Sequence, residues 1–541
     1  MKTSWQQLTF TLPDPFAFDA HPTMCDFWQM QPRLKQALKS YTHEFSQSSL
    51  MLICCQDHHF YRQQIAQLLQ ERDVHAAVIE QASPESLFGH HRYDRGQVLS
   101  EPGLLAQLHD GIAIMPASYF IHQPQAWDRM KALLSSKQLL PMVSGAHFGE
   151  MIQPELINLR LILTGDRYQL AEFEQLEPDS NSAEFNYGEV EADIAISAQS
   201  LPCFHQYLRT LAQSANLPYF ADHTALEAYL RLGARQCENQ GYQPLSPLWH
   251  QAWLSRCAIQ SEGLLIEAKH VTKALAQKIN QESYLPLRAQ QDIKSGHVHI
   301  DCENEAIGQI NGLTVIDIAG HPRAYGEPSR ISCVVHCGDG DISDVERKVE
   351  LGGNIHAKGM MIMEAFVSAA LNLDQPLPFS ASIVFEQSYC EVDGDSASLA
   401  EFCALVSALS QTPLTQQIAV TGAMDQFGRV QAVGGVNEKI ESFFAICQHR
   451  GLTGSQGVIL PRSNLENLVL SQELIEAIQN EQFHLWSVEY VEQALLQLTG
   501  CHFAEGDDCL LEKIALRIDM LNQTDSHQSC WSRLKNWFVH S

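Results

Sequence analysis

The dipeptide Gly-Lys occurs nowhere among the 541 residues. No G-x-x-x-x-G-K-[ST] loop can therefore be written, so the glycine-and-lysine cradle that holds nucleoside triphosphates is missing. Long apolar runs are missing too: none approaches the roughly 18–20 residues needed to span a bilayer. The opening segment, MKTSWQQLTFTLPDPF, interrupts its apolar residues with Gln, Thr and Pro and offers no apolar core of a secretory leader. C-x-x-C is absent although there are 15 cysteines; the nearest approaches are the adjacent Cys54 and Cys55, and Cys333 with Cys337. An odd, scattered set of this kind reads as reduced, mostly buried thiols in a cytoplasmic protein. Basic residues are scarce, 35 Lys and Arg against 63 Asp and Glu, for a net charge of −28. Such a field repels phosphate backbones and anionic lipid, so neither nucleic acid nor membrane is an expected partner. No internal repeat and no low-complexity tract stands out.

What is present is ample core material. Apolar residues make up 45% and charged residues 18%, which excludes disorder as the dominant state. The first glycine is Gly89. Ahead of it, Ser49 to Cys55 is an apolar run that reads as a buried strand, and Phe60 to Leu69 follows as an amphipathic helix. Two more strands are expected at Gly111 to Met115, ended by Pro116, and at Leu159 to Thr164, closed by Gly165 and Asp166. Helices separate them, so the pattern is α/β with a parallel sheet. From about Ser200 to Ser283 helical spacing dominates. From about Ile307 to Gly500 strands, glycine turns and helices alternate densely, as in an α+β domain. The expected division is an α/β region over 1–200, a helical subdomain and linker over 201–300, an α+β domain over 301–500 and a helical tail over 501–541.

A strand–loop–helix unit binds phosphate when glycines let backbone N–H groups converge on the anion. Here the loop after the first strand is Gln56-Asp57-His58-His59, with neither glycine nor lysine. Where a magnesium-binding strand would end in an acidic pair stands Met115-Pro116-Ala117-Ser118. The first half reads as an ATPase-like scaffold without ATP chemistry, although strand–helix alternation alone leaves that kinship open.

Two stretches of the second half carry chemistry. In Phe385-Glu386-Gln387-Ser388-Tyr389-Cys390-Glu391-Val392-Asp393-Gly394-Asp395-Ser396-Ala397-Ser398, a glycine turn leads to a helix over Leu399 to Ser410. Ser396 is thus expected at a helix N-terminus, where free N–H groups and the dipole favour an oxyanion. The residue type alone is equally that of a helix cap. In Gly434-Gly435-Val436-Asn437-Glu438-Lys439-Ile440, a second helix opens and runs to Gly451. Lys439 lies beside the stripe of Val436, Ile440, Phe443, Phe444 and Cys447. Desolvation there would release the proton of an ammonium and make a general base; an ordinary lysine at the edge of a buried face has the same pattern.

Taken together, these stretches resemble the proteolytic domain of Lon proteases over residues 307–500. The Asp-Gly-Asp-Ser-Ala-Ser signature, the Gly-Gly-Val-Asn-Glu-Lys helix and the 43-residue spacing between Ser396 and Lys439 all match. So do Ile310-Asn311-Gly312-Leu313, Gly352 to Gly359, Val420-Thr421-Gly422 and the glycines at 428, 434 and 435. The resemblance implies Ser396 as nucleophile, Lys439 as base and Thr421 as a supporting residue near the lysine. Ser398 points elsewhere, two residues on along a helix, and Ser388 falls outside the frame. Residues 45–285 resemble a Lon-type AAA+ module with its motifs eroded; Leu104 to Ile114 keeps the shape of the segment leading into a Walker B strand. The implied fold is multidomain α/β: a degenerate AAA+-like module with a helical subdomain, then an α+β Lon-type proteolytic domain. The implied function is a serine endopeptidase acting on protein or peptide chains, without ATP hydrolysis, as a cytoplasmic homo-oligomer, a hexamer by resemblance. The alternative is a catalytically silent oligomer that serves as a protein-binding scaffold.

No metal and no cofactor is expected. Among 24 histidines, His58 with His59, His90 with His91 and His297 with His299 lie close in sequence, but no third ligand of suitable spacing accompanies them. Gly338-Asp339-Gly340-Asp341-Ile342-Ser343-Asp344 has calcium-like spacing but lacks the glycine and the closing glutamate of an EF-hand loop. His356 and Lys358 are expected to be structural.

Overall fold

The computed structural model describes residues 2–4, 7–13, 18, 25–94, 97–144, 153–178, 186–338, 342–348, 351–371, 379–387 and 393–525. The chain divides into two compact units: Pro22–Ala192 with Cys203–Thr210, and Met1–His21 with Asp193–Pro202 and Leu211–Ser541.

The first unit is built on strands β1 (Leu50–Cys54), β2 (Ala76–Val78), β3 (Gly111–Pro116), β4 (Leu159–Gly165) and β5 (Asn186–Glu189), with helix α1 (His59–Gln70) after β1. They form one five-stranded parallel sheet in the order β5-β1-β4-β3-β2. The three apolar runs of the sequence are its three central strands. Every residue of β1 and β3 is buried, as expected where helices cover both faces of a parallel sheet. The edge strands β2 and β5 are short and mixed in composition, which is why periodicity does not announce them. Cys25 and Cys203 are joined as a disulfide, their Cα atoms 5.8 Å apart. This corrects the expectation of uniformly reduced thiols. The partners are 178 residues apart in sequence, and no local spacing can signal such a pair.

The second unit opens its helical part with α2 (His223–Gln236), α3 (Pro247–Gln260), α4 (Ala268–Glu282) and α5 (Tyr284–Lys294). Its main sheet contains β6 (Gln309–Ile316), β7 (Tyr325–Cys337), β8 (Ile342–Asp344), β9 (Phe379–Glu386), β10 (Ile418–Val420), β11 (Gly457–Pro461) and β12 (His484–Val488). The order is β8-β9-β7-β6-β10-β11-β12, a mixed sheet with antiparallel β6/β7 and β7/β9 pairs. Helices α6 (Asn354–Leu371), α7 (Ser398–Ser410), α8 (Val436–Arg450) and α9 (Leu510–Asp525) complete the elements that matter for the site. β9 alternates buried and half-buried residues along its whole length, the two-residue period of a strand with one face on the core. Helix α7 is buried at all 13 positions, so it is a central helix rather than an amphipathic cover.

The helical stretch expected as a subdomain of its own clusters with the C-terminal half, and so does the N-terminal segment. Leu8 is fully buried in the same core as Phe443 and Phe483, and its carbonyl accepts from Leu470 N at 3.1 Å. Pairing at such sequence distance leaves no mark on a mostly polar N-terminus. In the tail, the helical pattern around Cys509 to Leu521 is α9, whose Ile514 and Ile518 join the core; residues 526–541 lie outside the described ones. Among the described residues no helix is long and apolar enough to cross a membrane.

Candidate active site

Ser396 sits in a turn that begins at Gly394, whose φ of 120° suits glycine. Helix α7 starts at Ser398 with Ala397 as its cap residue. Ser396 is therefore not the cap but the turn residue just before it, and the positive end of the helix dipole faces this turn. The turn is stitched to the segment after β10. Gly422 N donates to Ser396 O at 2.9 Å, Leu399 N to Gly422 O at 3.1 Å, and Met424 N to Ser398 Oγ at 3.1 Å. Ser398 is buried and its oxygen is engaged in that bond. Ser388 lies outside the described residues.

Helix α8 starts from Gly435 in the left-handed conformation, φ 62°, and ends at Gly451, φ 101°. Glu438 in its first turn and Arg450 in its last complement the dipole. Lys439 is inside the unit rather than at the rim of the stripe, 3% exposed. Its Nζ lies 3.0 Å from Ser396 Oγ. Burial pushes the amine down to about 8, with the Asp395 carboxylate opposing. Thr421 is fully buried, and its hydroxyl donates to the Ser396 carbonyl oxygen at 3.4 Å. Its contact is thus with the serine's backbone, where the resemblance implied the lysine. Sequence reasoning missed Asp395 as a determinant of the lysine, because a carboxylate next to the serine looks like turn chemistry.

A buried ionic group also escaped the sequence. His356 Nε2 lies 3.0 Å from Asp344 Oδ2 and its Nδ1 3.8 Å from Glu401 Oε1, while Glu346 Oε1 accepts from Phe385 N at 3.0 Å. Burial lifts Glu401 to about 7, with His356 opposing. Burial alone would lower His356, but Asp344 and Glu401 outweigh it and raise it. The signal available was Glu401 itself, the one charged residue among the 13 of α7. His356 is committed to this group, and Lys358 is exposed.

The other histidines find ordinary partners. His58 Nδ1 accepts from Phe60 N, His59 faces Glu80, His90 and His91 face Ser144 and Ser100, and His297 and His299 face Asp292 and Asp301. Asp344 caps Glu346 N at 3.0 Å, while 339–341 lie outside the described residues. Among the described residues no group of three or more His, Cys, Asp or Glu is arranged to hold a metal.

In the loop between β1 and α1, Asp57 Oδ1 accepts from Arg62 Nη1 at 2.6 Å, and Oδ2 from Gln169 Nε2 at 2.8 Å and Ser118 Oγ at 3.2 Å. Arg62 also binds Glu80 and Thr164. The Asp57 carboxylate is thus held in this loop by Arg62, Gln169 and Ser118. β3 ends in buried Met115 and Pro116, which ligate no magnesium.

This is an AAA-like α/β unit followed by an α+β unit with a serine hydroxyl against a buried lysine. Residues 385–499 match the family model of the Lon protease (S16) C-terminal proteolytic domain, and residues 77–186 that of a LonB-like AAA domain. A protein of Escherichia coli (strain K12) named "Putative Lon protease homolog" is 38% identical over 99% of this chain and 99% of its own length. One of the same name from Haemophilus influenzae is 42% identical over 76% of this chain and 69% of its own. An "Archaeal Lon protease" of Methanocaldococcus jannaschii is 30% identical over 40% of this chain and 33% of its own. The chain belongs to the Lon protease family.

Proposed function

We propose that the chain is a serine endopeptidase of the Lon type that cuts protein chains through Ser396 and Lys439, with Thr421 in support, and does not hydrolyse ATP. The observation that carries this is the 3.0 Å contact between Ser396 Oγ and Lys439 Nζ. With the amine held at about 8, about one lysine in ten is neutral at pH 7. Neutral Lys439 takes the Ser396 hydroxyl proton as Oγ attacks the substrate carbonyl. The tetrahedral oxyanion forms at the positive end of α7. Lys439 then gives the proton to the departing amine as the C–N bond breaks, leaving an ester on Oγ. Water attacks the ester, Lys439 accepts its proton, and the proton returns to Oγ as the acid leaves.

Thr421 holds the serine carbonyl and so keeps the turn in place. No step needs ATP, and the Asp57-filled loop of the first unit supports independence from it. Without ATP-driven unfolding, the substrates are chains already unfolded or flexible. Family membership supports protein or peptide substrates and a homo-oligomer, a hexamer, in the cytoplasm.

Hydrolysis of casein tests the proposal, with wild type and Ser396→Ala each assayed with and without magnesium-ATP. Wild type should cut equally in both conditions, phosphate release should stay at background, and Ser396→Ala should not cut. Cleavage strictly dependent on ATP would overturn the independence from ATP. Equal inactivity of both proteins would leave the silent scaffold.

A further inference from the structure

Helix α8 leaves from a glycine elbow. Gly434 and Gly435 stand immediately before it, and Lys439 is its fourth residue. A side chain at Gly434 would meet no atom within 4 Å, and Gly435 sits against Val315 in the left-handed conformation, φ 62°. Paired glycines leave the backbone its widest freedom. The amine that must stay 3.0 Å from Ser396 Oγ is thus carried on a stretch with little stiffness of its own.

Three asparagines supply the stiffness. Asn464, in the 3-10 turn Arg462–Asn467 after β11, grips the main chain ahead of the glycines. Its Oδ1 accepts from Val433 N and its Nδ2 donates to Val433 O, both at 2.9 Å. Asn437, the second residue of α8, grips the other side of the elbow. Its Nδ2 donates to Asn467 O at 2.8 Å and its Oδ1 accepts from Val469 N at 2.7 Å. Asn467 joins the two, because its Oδ1 accepts from Asn464 Nδ2 at 3.0 Å. Its own Nδ2 donates to Glu238 O at 2.8 Å. Asn464 and Asn437 are 2% and 1% exposed. The bonds close a ring that runs from Val433 through the glycines to Asn437, on to Asn467 and Asn464, and back to Val433.

We propose that Asn464 and Asn437 are positioning residues for Lys439: the ring they close with Asn467 removes the freedom of the Gly434–Gly435 elbow and sets the first turn of α8 at bonding distance from Ser396. This rests on the Ser396–Lys439 reading above.

An asparagine amide carries donor and acceptor in one plane, so Asn464 holds both polar groups of Val433 as a neighbouring strand would. At buried positions water does not replace such bonds, and losing one leaves main-chain groups without a partner. None of the asparagine bonds goes to Ser396 Oγ or to Lys439 Nζ, so the ring acts through the helix start. The first hydrogen bond of α8, from Lys439 N to Gly435 O at 3.1 Å, ties the lysine's own residue to the elbow.

The test uses the full-length chain with Asn437→Ala and Asn464→Ala. Alanine is the best helix former, so Asn437→Ala does not act by weakening the helix itself. Each variant should lower kcat for an unstructured peptide by about 10- to 100-fold and leave KM near its wild-type value, as when only alignment is lost. The double variant should lose little more than the worse single one, because a ring opened twice is still one open ring. Gly434→Ala stiffens the elbow without a clash, and in that background the loss from Asn437→Ala should shrink several-fold. Merely structural contacts give no such rescue. Hydrogen exchange on the same proteins reads the ring without any reaction: first-turn amides of α8 should exchange about tenfold faster in either variant, and last-turn amides as in wild type. Wild-type kcat in Asn437→Ala, or first-turn exchange at the wild-type rate, would overturn the proposal. So would losses that multiply in the double variant and persist in the Gly434→Ala background. If Asn464→Ala does not fold, Asn437→Ala with and without Gly434→Ala decides alone. A failure of the peptidase reading looks different: first-turn exchange rises in the variants while wild type cuts no casein.

Discussion

Lys439→Arg and Lys439→Ala each lower casein hydrolysis by about 10⁴-fold, the scale of losing a general base that acts as a unit with its nucleophile. Arginine keeps the positive charge but stays protonated at any pH the protein survives, so it cannot take the serine's proton. Ser396→Ala should lose as much, and the double variant little more. Stability should move the other way in Lys439→Met, which fills the site without a charge. The folded-state pKa of Lys439 is lowered from 10.5 to about 8, so between these values the unfolded chain binds the proton and the folded one does not. The resulting destabilisation is fully present below pH 8 and fades as pH rises toward 10.5. Its size is on the order of 3 kcal/mol, so Lys439→Met should unfold at higher urea than wild type at pH 7, with the gap closing by pH 10. Full hydrolysis by Lys439→Arg would reject the pair.

Gly326→Ala should remove most activity from a residue that touches no substrate. Gly326 lies on β7 where that strand passes under the first turn of α8. A Cβ there would run into the carbonyl oxygen of Glu438 and stand 2.8 Å from Lys439 N. Both obstacles are backbone, which cannot rotate aside, so either the strand or the helix moves. Overpacking of this kind costs about 1–3 kcal/mol. A displacement of Lys439 by about 1 Å from Ser396 costs about 100-fold in rate. Thermal unfolding and casein hydrolysis measured on the same preparation check both. A Gly326→Ala protein with wild-type rate and melting temperature would show that the approach of β7 does not position the lysine.

The central strands were legible because parallel sheets bury both faces, and Leu50–Cys54, Gly111–Pro116 and Leu159–Gly165 are nearly unbroken apolar runs. Helix α8 was legible from Gly435, Gly451 and the stripe between them. Ser396 and Lys439 stood out by their surroundings and were linked to each other by resemblance, and their side chains meet at 3.0 Å. The depth of Lys439 was not, because a lysine three residues from Val436 and four from Phe443 has the pattern of a rim position. What buries it is β7, which approaches through Gly326 from more than a hundred residues away. The same limit hid Cys25 from Cys203 and Leu8 from Leu470. Each is a contact across long sequence distance between residues that are unremarkable in their own neighbourhoods. The Asp57 loop shows the converse. The absence of glycine and lysine was plain, but that Gln169 and Ser118 reach back to hold the Asp57 carboxylate in this loop was not.

The central claim is that a neutral, buried lysine amine is the base for Ser396, and the pH dependence of kcat/KM for an unstructured peptide tests it most directly. The acid limb should rise with a single proton and a midpoint at about 8, the value to which burial lowers Lys439. The same midpoint should appear with and without magnesium-ATP. A limb centred near the histidine value of about 6.5, or a rate independent of pH between about 6 and 9, would contradict a lysine base.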